Sequence, residues 1–333
     1  MTLLGSVQTT TSVVVMIFGK NGKSLQKIYG ISAGSGGKCG KAWLDNRWGY
    51  IYYKKHLMNF GGKGGHCPPF SHGKEPELME MITSRQNPLC THLRKLAASG
   101  SYRRRCGEFL CDSPKLLEEA LLWKGDLHTV VATEQAALPP IPAGVRVVQV
   151  PPDVMASVSP AQAPQGVLSV CGLRPPVLPE KLTGKRYMVL DGVQDPGNVG
   201  TILRTADAFR ADGLFLVNAC ADLYNPKTVR ATMGAVFRCP VWSCGVEELR
   251  TLLNASGLPL YGAALRADTV DARALDYDRC AIAIGSEGKG LSREVLAVCD
   301  QTALIPMSEH CESLNAAAAA AVLLWETARN DRL

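Results

Sequence analysis

Three short blocks in the C-terminal half of this 333-residue chain combine groups that could activate a hydroxyl and hold a ligand close to backbone. The first runs from Leu190 to Arg204 and holds Asn198, Gly200 and Arg204. The second is Gly285-Ser-Glu-Gly-Lys-Gly-Leu291, with Glu287 and Gly290. The third runs from Ile305 to Asn315 and holds Met307, Ser313 and Leu314. Arginine keeps its proton and is a poor base, but a guanidinium can grip a phosphate and lower the cost of alkoxide character beside it. Asparagine both donates and accepts, which suits orienting a hydroxyl or tying Arg204 in place. Each residue also has a plain structural reading: Asn198 in a turn after Pro196-Gly197, Glu287 as a capping carboxylate, Ser313 or Asn315 as a helix cap. Glycines 285, 288 and 290 let backbone pass close to a ligand. Their spacing matches neither Gly-x-Gly-x-x-Gly nor Gly-x-x-x-x-Gly-Lys-Ser/Thr, which disfavours a Rossmann or P-loop nucleotide site.

Each block lies where an apolar, strand-like run gives way to glycine or proline. Ligands in open α/β sheets bind outside the carboxyl ends of the strands, so three such edges point to one site. The elements alternate accordingly. Strands are expected at Tyr187–Leu190, Leu214–Val217, Ala281–Ile284 and Thr302–Ile305. Helices are expected from about Gly200 to Ala211, around Lys227–Met233 and Glu247–Ala255, and through Ala316–Arg329. The pattern is that of a mostly parallel, doubly wound sheet. Before it, Leu173–Gly184 carries three prolines and no period, which marks a linker. Upstream, Glu108–Cys111, Thr129–Ala132, Arg146–Val150 and Val167–Val170 read as strands, and Leu89, Leu93 and Leu96 recur at helical spacing. Ser113 followed by Pro114 starts another helix, so this region is a smaller α/β domain.

The net charge of +6 is unevenly placed. Residues 1–78 hold ten Lys/Arg against three Asp/Glu, a net of +7, which leaves −1 for the remainder. That first stretch is rich in glycine and lysine without a sustained period, and is expected to be disordered, a basic RNA-binding arm, or not native. In a bacterial message Lys74-Glu75 can be encoded by AAGGAG, a ribosome-binding sequence, which predicts a native start at Met79 or Met81. Peptides from residues 1–70 in the natural product would overturn that expectation. Between Met81 and Gly107 lie Arg85, Arg94, Lys95, Arg103, Arg104 and Arg105 and no carboxylate, a pattern of phosphate-facing surfaces as well as of a solvated helix end. The 12 cysteines include no Cys-x-x-Cys pair and lie mostly in apolar runs, which favours reduced buried thiols in a cytoplasmic protein and no metal site. Val13–Phe18 is too short to span a bilayer and lacks a basic flank before it, so neither a membrane span nor secretion is expected.

From about residue 81 to the end the sequence resembles the SpoU/TrmH class of SPOUT RNA methyltransferases. The resemblance rests on Asn198-x-Gly200-x-x-x-Arg204, Gly285-x-Glu287-Gly-x-Gly290, and Ile305-Pro-Met307 followed by Ser313-Leu-Asn315, in that order. Lys227-x-x-Arg230-Ala-Thr-Met-Gly-Ala235 and Pro240 also match, and Ile82–Glu119 with Gln165-Gly166 looks like the N-terminal RNA-binding domain. The resemblance implies methyl transfer from S-adenosylmethionine to a ribose 2′-hydroxyl, a C-terminal domain threaded into a trefoil knot, and a homodimer. It implies Arg204, Asn198, Glu287, Ser313 and Asn315 at the chemistry, with Arg204 as base or phosphate clamp. It implies Gly285, Gly290, Ile305, Met307 and Leu314 at the cofactor, and RNA held by the basic residues above with Lys227 and Arg230. The expected domains are 1–78 as an unmatched extension, 79–170 for RNA binding, 171–184 as linker and 185–333 for methyl transfer. The added N-terminal domain resembles the branch that modifies ribosomal RNA, so large-subunit rRNA is the expected substrate. A tRNA methyltransferase, a catalytically silent assembly factor on the same fold, and a nucleotide-dependent doubly wound enzyme are the alternatives. Calorimetry with S-adenosylmethionine separates them: no binding would sink methyl transfer, and nucleotide binding instead would favour the last.

Overall fold

The computed structural model describes residues 80–311 and 313–329, together with five short strands nearer the N-terminus. Those are β1 (Ser6–Thr9), β2 (Ser12–Met16), β3 (Ile28–Ile31), β4 (Ala42–Asp45) and β5 (Tyr50–Tyr53), which pair antiparallel in sequence order within a unit spanning residues 1–73. At four or five residues each they are too short for an alternating pattern to stand out in the sequence. The remainder of that extension lies outside the described residues.

Residues 74–333 form the second unit. It opens with β6 (Glu80–Met81), α1 (Pro88–Ala98), α2 (Gly100–Cys106), β7 (Glu108–Cys111), α3 (Pro114–Leu122), β8 (Leu127–Ala132), β9 (Arg146–Gln149), α4 (Pro152–Val158) and β10 (Val167–Gly172). The strands make a mixed five-stranded sheet in the order β6-β9-β8-β10-β7. Local chemistry sets the helix ends: Asn87 accepts from the Leu89 amide at 2.8 Å, Ser99 caps α2, and Ser113 accepts from the Leu116 amide at 3.2 Å with Pro114 in the first turn. Leu89, Leu93 and Leu96 are buried against Val131, Val148 and Leu168, as their spacing predicts.

The chain continues with β11 (Arg186–Asp191), α5 (Pro196–Ala208), β12 (Gly213–Val217), α6 (Pro226–Thr232), β13 (Val241–Ser243), α7 (Val246–Ser256), β14 (Leu260–Ala263), β15 (Val270–Asp271), β16 (Cys280–Gly285), α8 (Arg293–Val298), β17 (Gln301–Leu304) and α9 (Ala316–Ala328). All neighbouring strands are parallel, in the order β13-β12-β11-β16-β14-β17-β15. Such strands are covered on both faces, so β11 and β12 are buried throughout rather than alternating. One face packs on α5 and α9 through Ile202, Leu203, Leu323 and Leu324, the other on α7 and α8 through Leu249, Leu253 and Val295. The doubly wound expectation therefore stands, with α5 beginning four residues earlier than the sequence indicated, because Asp195 is its cap and Pro196 its first residue.

Residues 173–184 carry no regular structure but are held along the seven-stranded part. Trp242 Nε1 donates to the Val177 carbonyl at 3.0 Å, and Arg279 donates to the carbonyls of Leu182 and Gly184, each at 3.1 Å. The two sheets meet over an apolar cluster: Phe109, Cys111, Leu116, Ala120 and Cys171 from one side, Val229, Tyr224 and Phe237 from the other. Of the described cysteines six are buried, and burial pushes the Cys239 and Cys280 thiols up to about 12, so both stay protonated at neutral pH.

Candidate active site

The three blocks leave the carboxyl ends of β11, β16 and β17. Asp191 and Gly285 face each other in register across β11 and β16, so blocks one and two emerge side by side. Block one turns at once into α5. Asp195 Oδ1 accepts from the Asn198 amide at 2.9 Å, and Lys227 Nζ bonds Asp195 Oδ2 at 2.8 Å, holding that carboxyl below the usual range. Lys227, expected at RNA, thus ties α6 to the cap of α5 while its side chain stays 61% exposed.

Asn198 is where the blocks converge. Its Nδ2 donates to Glu287 Oε1 of block two, and its Oδ1 accepts from Asn315 Nδ2 of block three at 3.2 Å. Residues up to 117 positions apart are joined by one amide, whose orientation the two partners set. A second N–H and a second lone pair remain for a ligand. Asn315 is also the cap of α9, its Oδ1 accepting from the amides of Ala317 and Ala318 at 2.9 and 3.3 Å. The capping and site readings of Asn315 are therefore both satisfied by one side chain. Asn198 lies in the first turn of α5 and not in a turn before it.

Two glycines of the blocks are fixed by what stands against them. Gly200 sits inside α5, where a Cβ would stand 2.4 Å from the Thr228 carbonyl oxygen and 2.6 Å from Ala231 Cβ; it lets α5 and α6 touch. At Gly285 a Cβ would stand 2.0 Å from the Gly290 carbonyl carbon and 2.3 Å from the Leu291 amide, so the approach it permits is to its own loop. That loop closes through Ser286 and Gly290, whose amides and carbonyls exchange bonds of 3.1 and 2.8 Å, with Gly290 in the left-handed region at φ +65°.

The sequence reading missed Asp191, a carboxylate 3% exposed at the end of β11. It accepts from the Ser292 amide at 2.6 Å and from Asn218 Nδ2 at 2.8 Å, pinning the far end of block two against block one. An acid closing the apolar run Tyr187–Leu190 was the available signal.

Arg204 lies six residues beyond Asn198 on α5, about 9 Å along the axis. It is exposed and has no hydrogen-bond or ion-pair partner among the described residues. A guanidinium held on a fixed helix with its donors uncommitted can take a phosphate. Ser313 is exposed next to the α9 cap and its hydroxyl makes no bond among the described residues.

The edge also fits S-adenosylmethionine. Ile305 and Leu314 are half-buried and Met307 is 42% exposed, offering apolar surface on block three. A cofactor without phosphates needs no helix-terminal phosphate cradle. The bound cofactor would supply an electrophilic methyl group. Two surface cavities lie elsewhere: one of about 450 Å³ in the five-stranded part, between Thr133, Met155 and Gln165, and one of about 270 Å³ between Arg186, Tyr277 and Glu326.

Of the basic residues expected at RNA, the structure separates two kinds. Lys95, Arg104 and Arg105 are exposed on α1 and α2, with Lys95 Nζ 5.6 Å and the Arg105 guanidinium 5.1 Å from the Tyr102 ring centroid. Arg85 is also exposed but paired with Asp153 at 2.8 Å, and Arg94 donates to the Arg85 carbonyl. Arg103 is a correction: it is 3% exposed, bonded to Asp222 Oδ2 at 2.5 Å and to the Leu96 carbonyl at 2.6 Å. Arg230 neutralises the buried Asp112 while its own side chain stays 44% exposed. Both arginines join the two sheets. Arg103→Ala is therefore expected to cost about 3 kcal/mol of stability, as removal of one partner from a buried ion pair does. The double variant Arg104→Ala/Arg105→Ala should leave the melting temperature alone, weaken RNA binding and lower its salt slope by about two. Filter binding across a salt series with calorimetric melting checks both; equal destabilisation by the two variants would contradict the division.

Comparison with known proteins places these features. A profile of the SpoU rRNA Methylase family matches residues 185–325, and one of the MRM3-like substrate binding domain matches residues 78–169. The chain is 31% identical over 249 residues to the Bacillus subtilis 23S rRNA (guanosine(2553)-2′-O)-methyltransferase RlmP, covering 74% of this chain and 98% of that protein. It is 32% identical over 287 residues to the 23S rRNA (uridine(2479)-2′-O)-methyltransferase of Streptomyces viridochromogenes, covering 78% and 95%. The AdoMet-bound rRNA methyltransferase of Sinorhizobium meliloti superposes with a TM-score of 0.68 at 30% identity, covering 76% of this chain and 99% of that one.

Proposed function

The chain belongs to the SpoU rRNA methylase family, and from that premise we propose that it transfers a methyl group from S-adenosylmethionine to a ribose 2′-hydroxyl of large-subunit ribosomal RNA. The observation that carries this reading to particular residues is the Glu287–Asn198–Asn315 chain, which binds the three blocks into one edge on the helix that carries Arg204. Arg204 grips the phosphate next to the target ribose and stabilises alkoxide character as the hydroxyl oxygen attacks. Asn198, held by two partners, offers its remaining polar capacity to the ribose. Gly285, Gly290, Ile305, Met307 and Leu314 hold the cofactor, and the Lys95, Arg104 and Arg105 surface holds flanking RNA. Ser313 borders the same edge.

The substrate follows the relatives, whose names give 23S rRNA as their target. The trefoil knot and the homodimer belong to the same reading. Support for the dimer comes from α9, which leaves Val322 43% and Trp325 53% exposed, with Phe209 edge-on to Trp325 at 5.8 Å. A second copy is the occupant, and sedimentation as a monomer at micromolar concentration would count against it. No described helix is long and apolar enough to cross a membrane, and no described side-chain cluster could hold a metal ion. We place the protein in the cytoplasm, where ribosomes are assembled.

The deciding experiment maps 2′-O-methyl positions on total RNA with and without the gene. One position in large-subunit rRNA should lose its methyl group. Loss confined to tRNA, or no loss, would overturn the substrate.

A further inference from the structure

Arg238 stands at a junction of three parts of the molecule. Its Nε and Nη2 donate to Asp207 Oδ2 at 2.9 and 2.7 Å, and its Nη1 donates to Glu119 Oε2. Asp207 belongs to α5, three residues after Arg204. Glu119 belongs to α3, on the side of the five-stranded sheet. Trp123, one turn further along, lays its ring 5.7 Å from the Arg238 guanidinium. Glu119 is 5% exposed and also takes Lys115 at 2.5 Å. The backbone at Gly234, φ +96°, runs directly against it: a Cβ there would stand 2.4 Å from Glu119 Cγ. The carboxylate is thus seated in a socket of the catalytic part and not draped over its surface.

We propose that Arg238 is a positioning residue for methyl transfer, setting the angle at which RNA held by the N-terminal part meets the helix that carries Arg204. This rests on the reading of the protein as an RNA 2′-O-methyltransferase. The geometry asks for arginine, because one planar guanidinium serves two carboxylates from different edges at once and a lysine ammonium does not fix both directions. The other arginine pairs across the same seam, Arg103 with Asp222 and Arg230 with Asp112, end on α6 and the turn before it. The Arg238 pair ends on α5. Arg204 and Asp207 are three residues apart and so neighbours on one helix. A tilt transmitted through Asp207 moves Arg204 relative to the bound cofactor, whose expected contacts lie on blocks two and three.

The test uses Glu119→Gln, Asp207→Asn and the double variant in the full chain. Each single change removes one carboxylate charge at nearly constant size. Single-turnover methylation of a large-subunit rRNA fragment should slow by about 10-fold in each, within the range over which small misplacements of reactants act. Affinity for S-adenosylmethionine should stay within a factor of about two. The double variant should be no slower than the slower single, because both substitutions cut one link, and such non-additivity is the mark of coupled groups. Losses that multiply in the double variant, or an unchanged rate with a lowered melting temperature, would overturn the proposal and leave Arg238 as packing alone. Should Glu119→Gln fail to fold, Asp207→Asn decides by itself through the rate against cofactor affinity. A wild-type protein that binds the cofactor and methylates no RNA sinks the functional reading as well; an active wild type with multiplying losses sinks only Arg238.

Discussion

Arg204→Ala is expected to slow methyl transfer by about 10²–10³-fold, the scale of removing one preorganised donor to a developing oxyanion, while S-adenosylmethionine binds almost as before. The split follows from placement. Arg204 is exposed and makes no bond among the described residues, so its removal leaves no orphaned partner. The α5 helix keeps its Asp195 cap, and Asn198 keeps both its partners. The expected cofactor contacts lie on the other two blocks. Arg204→Lys should recover part of the rate, since it restores charge without the planar fork. Single-turnover methylation and calorimetry with the cofactor give the two numbers. A parallel loss of cofactor binding would make Arg204 structural, and an unchanged rate would remove it from the chemistry.

Gly285→Ala should abolish cofactor binding without unfolding the sheet. The added Cβ meets the carbonyl of Gly290 and the amide of Leu291, which are backbone atoms with no side-chain freedom to yield. Asp191 prevents the loop from shifting outward, because it holds the Ser292 amide at 2.6 Å. The strain, about 1–3 kcal/mol in ordinary overpacking, falls on the loop that shapes the cofactor edge. Gly288→Ala is the internal control, because a Cβ there meets nothing within 4 Å. A loss for Gly285→Ala with little change for Gly288→Ala is the expected pattern in cofactor titrations. Equal loss in both would show that general crowding of the site, and not the Gly285–Gly290 approach, is the cause.

Several elements were legible because their causes are local. Ser113-Pro114 and Asn315 start helices through bonds to amides two or three residues away, and the structure places caps at both. The long parallel strands β11, β12 and β16 were visible as apolar runs ending in glycine or a polar residue. The strands β13, β14 and β15 and the helices α4 and α8 were not, since two to seven residues carry too little periodicity to rise above loop composition. The glycines illustrate the limit in one residue type. Gly200 and Gly285 look alike in sequence, yet one admits a neighbouring helix and the other its own loop.

The charged residues show the same limit more sharply. Arg103, Arg104 and Arg105 are consecutive, but only the first turns inward, toward an aspartate 119 positions away. Composition could not distinguish them, because a cation's partner across the fold has no address in its own neighbourhood. By itself the sequence determined the order of the three blocks, the alternating α/β pattern and the family they point to, since spacing and short-range bonding are properties of the chain. The tertiary structure alone decided that one asparagine amide ties the three blocks together, that Asp191 braces them, and which basic residues are spent holding the two sheets together. Those are distances between parts remote in sequence, and they exist only once the parallel sheet has brought its strand ends to one edge.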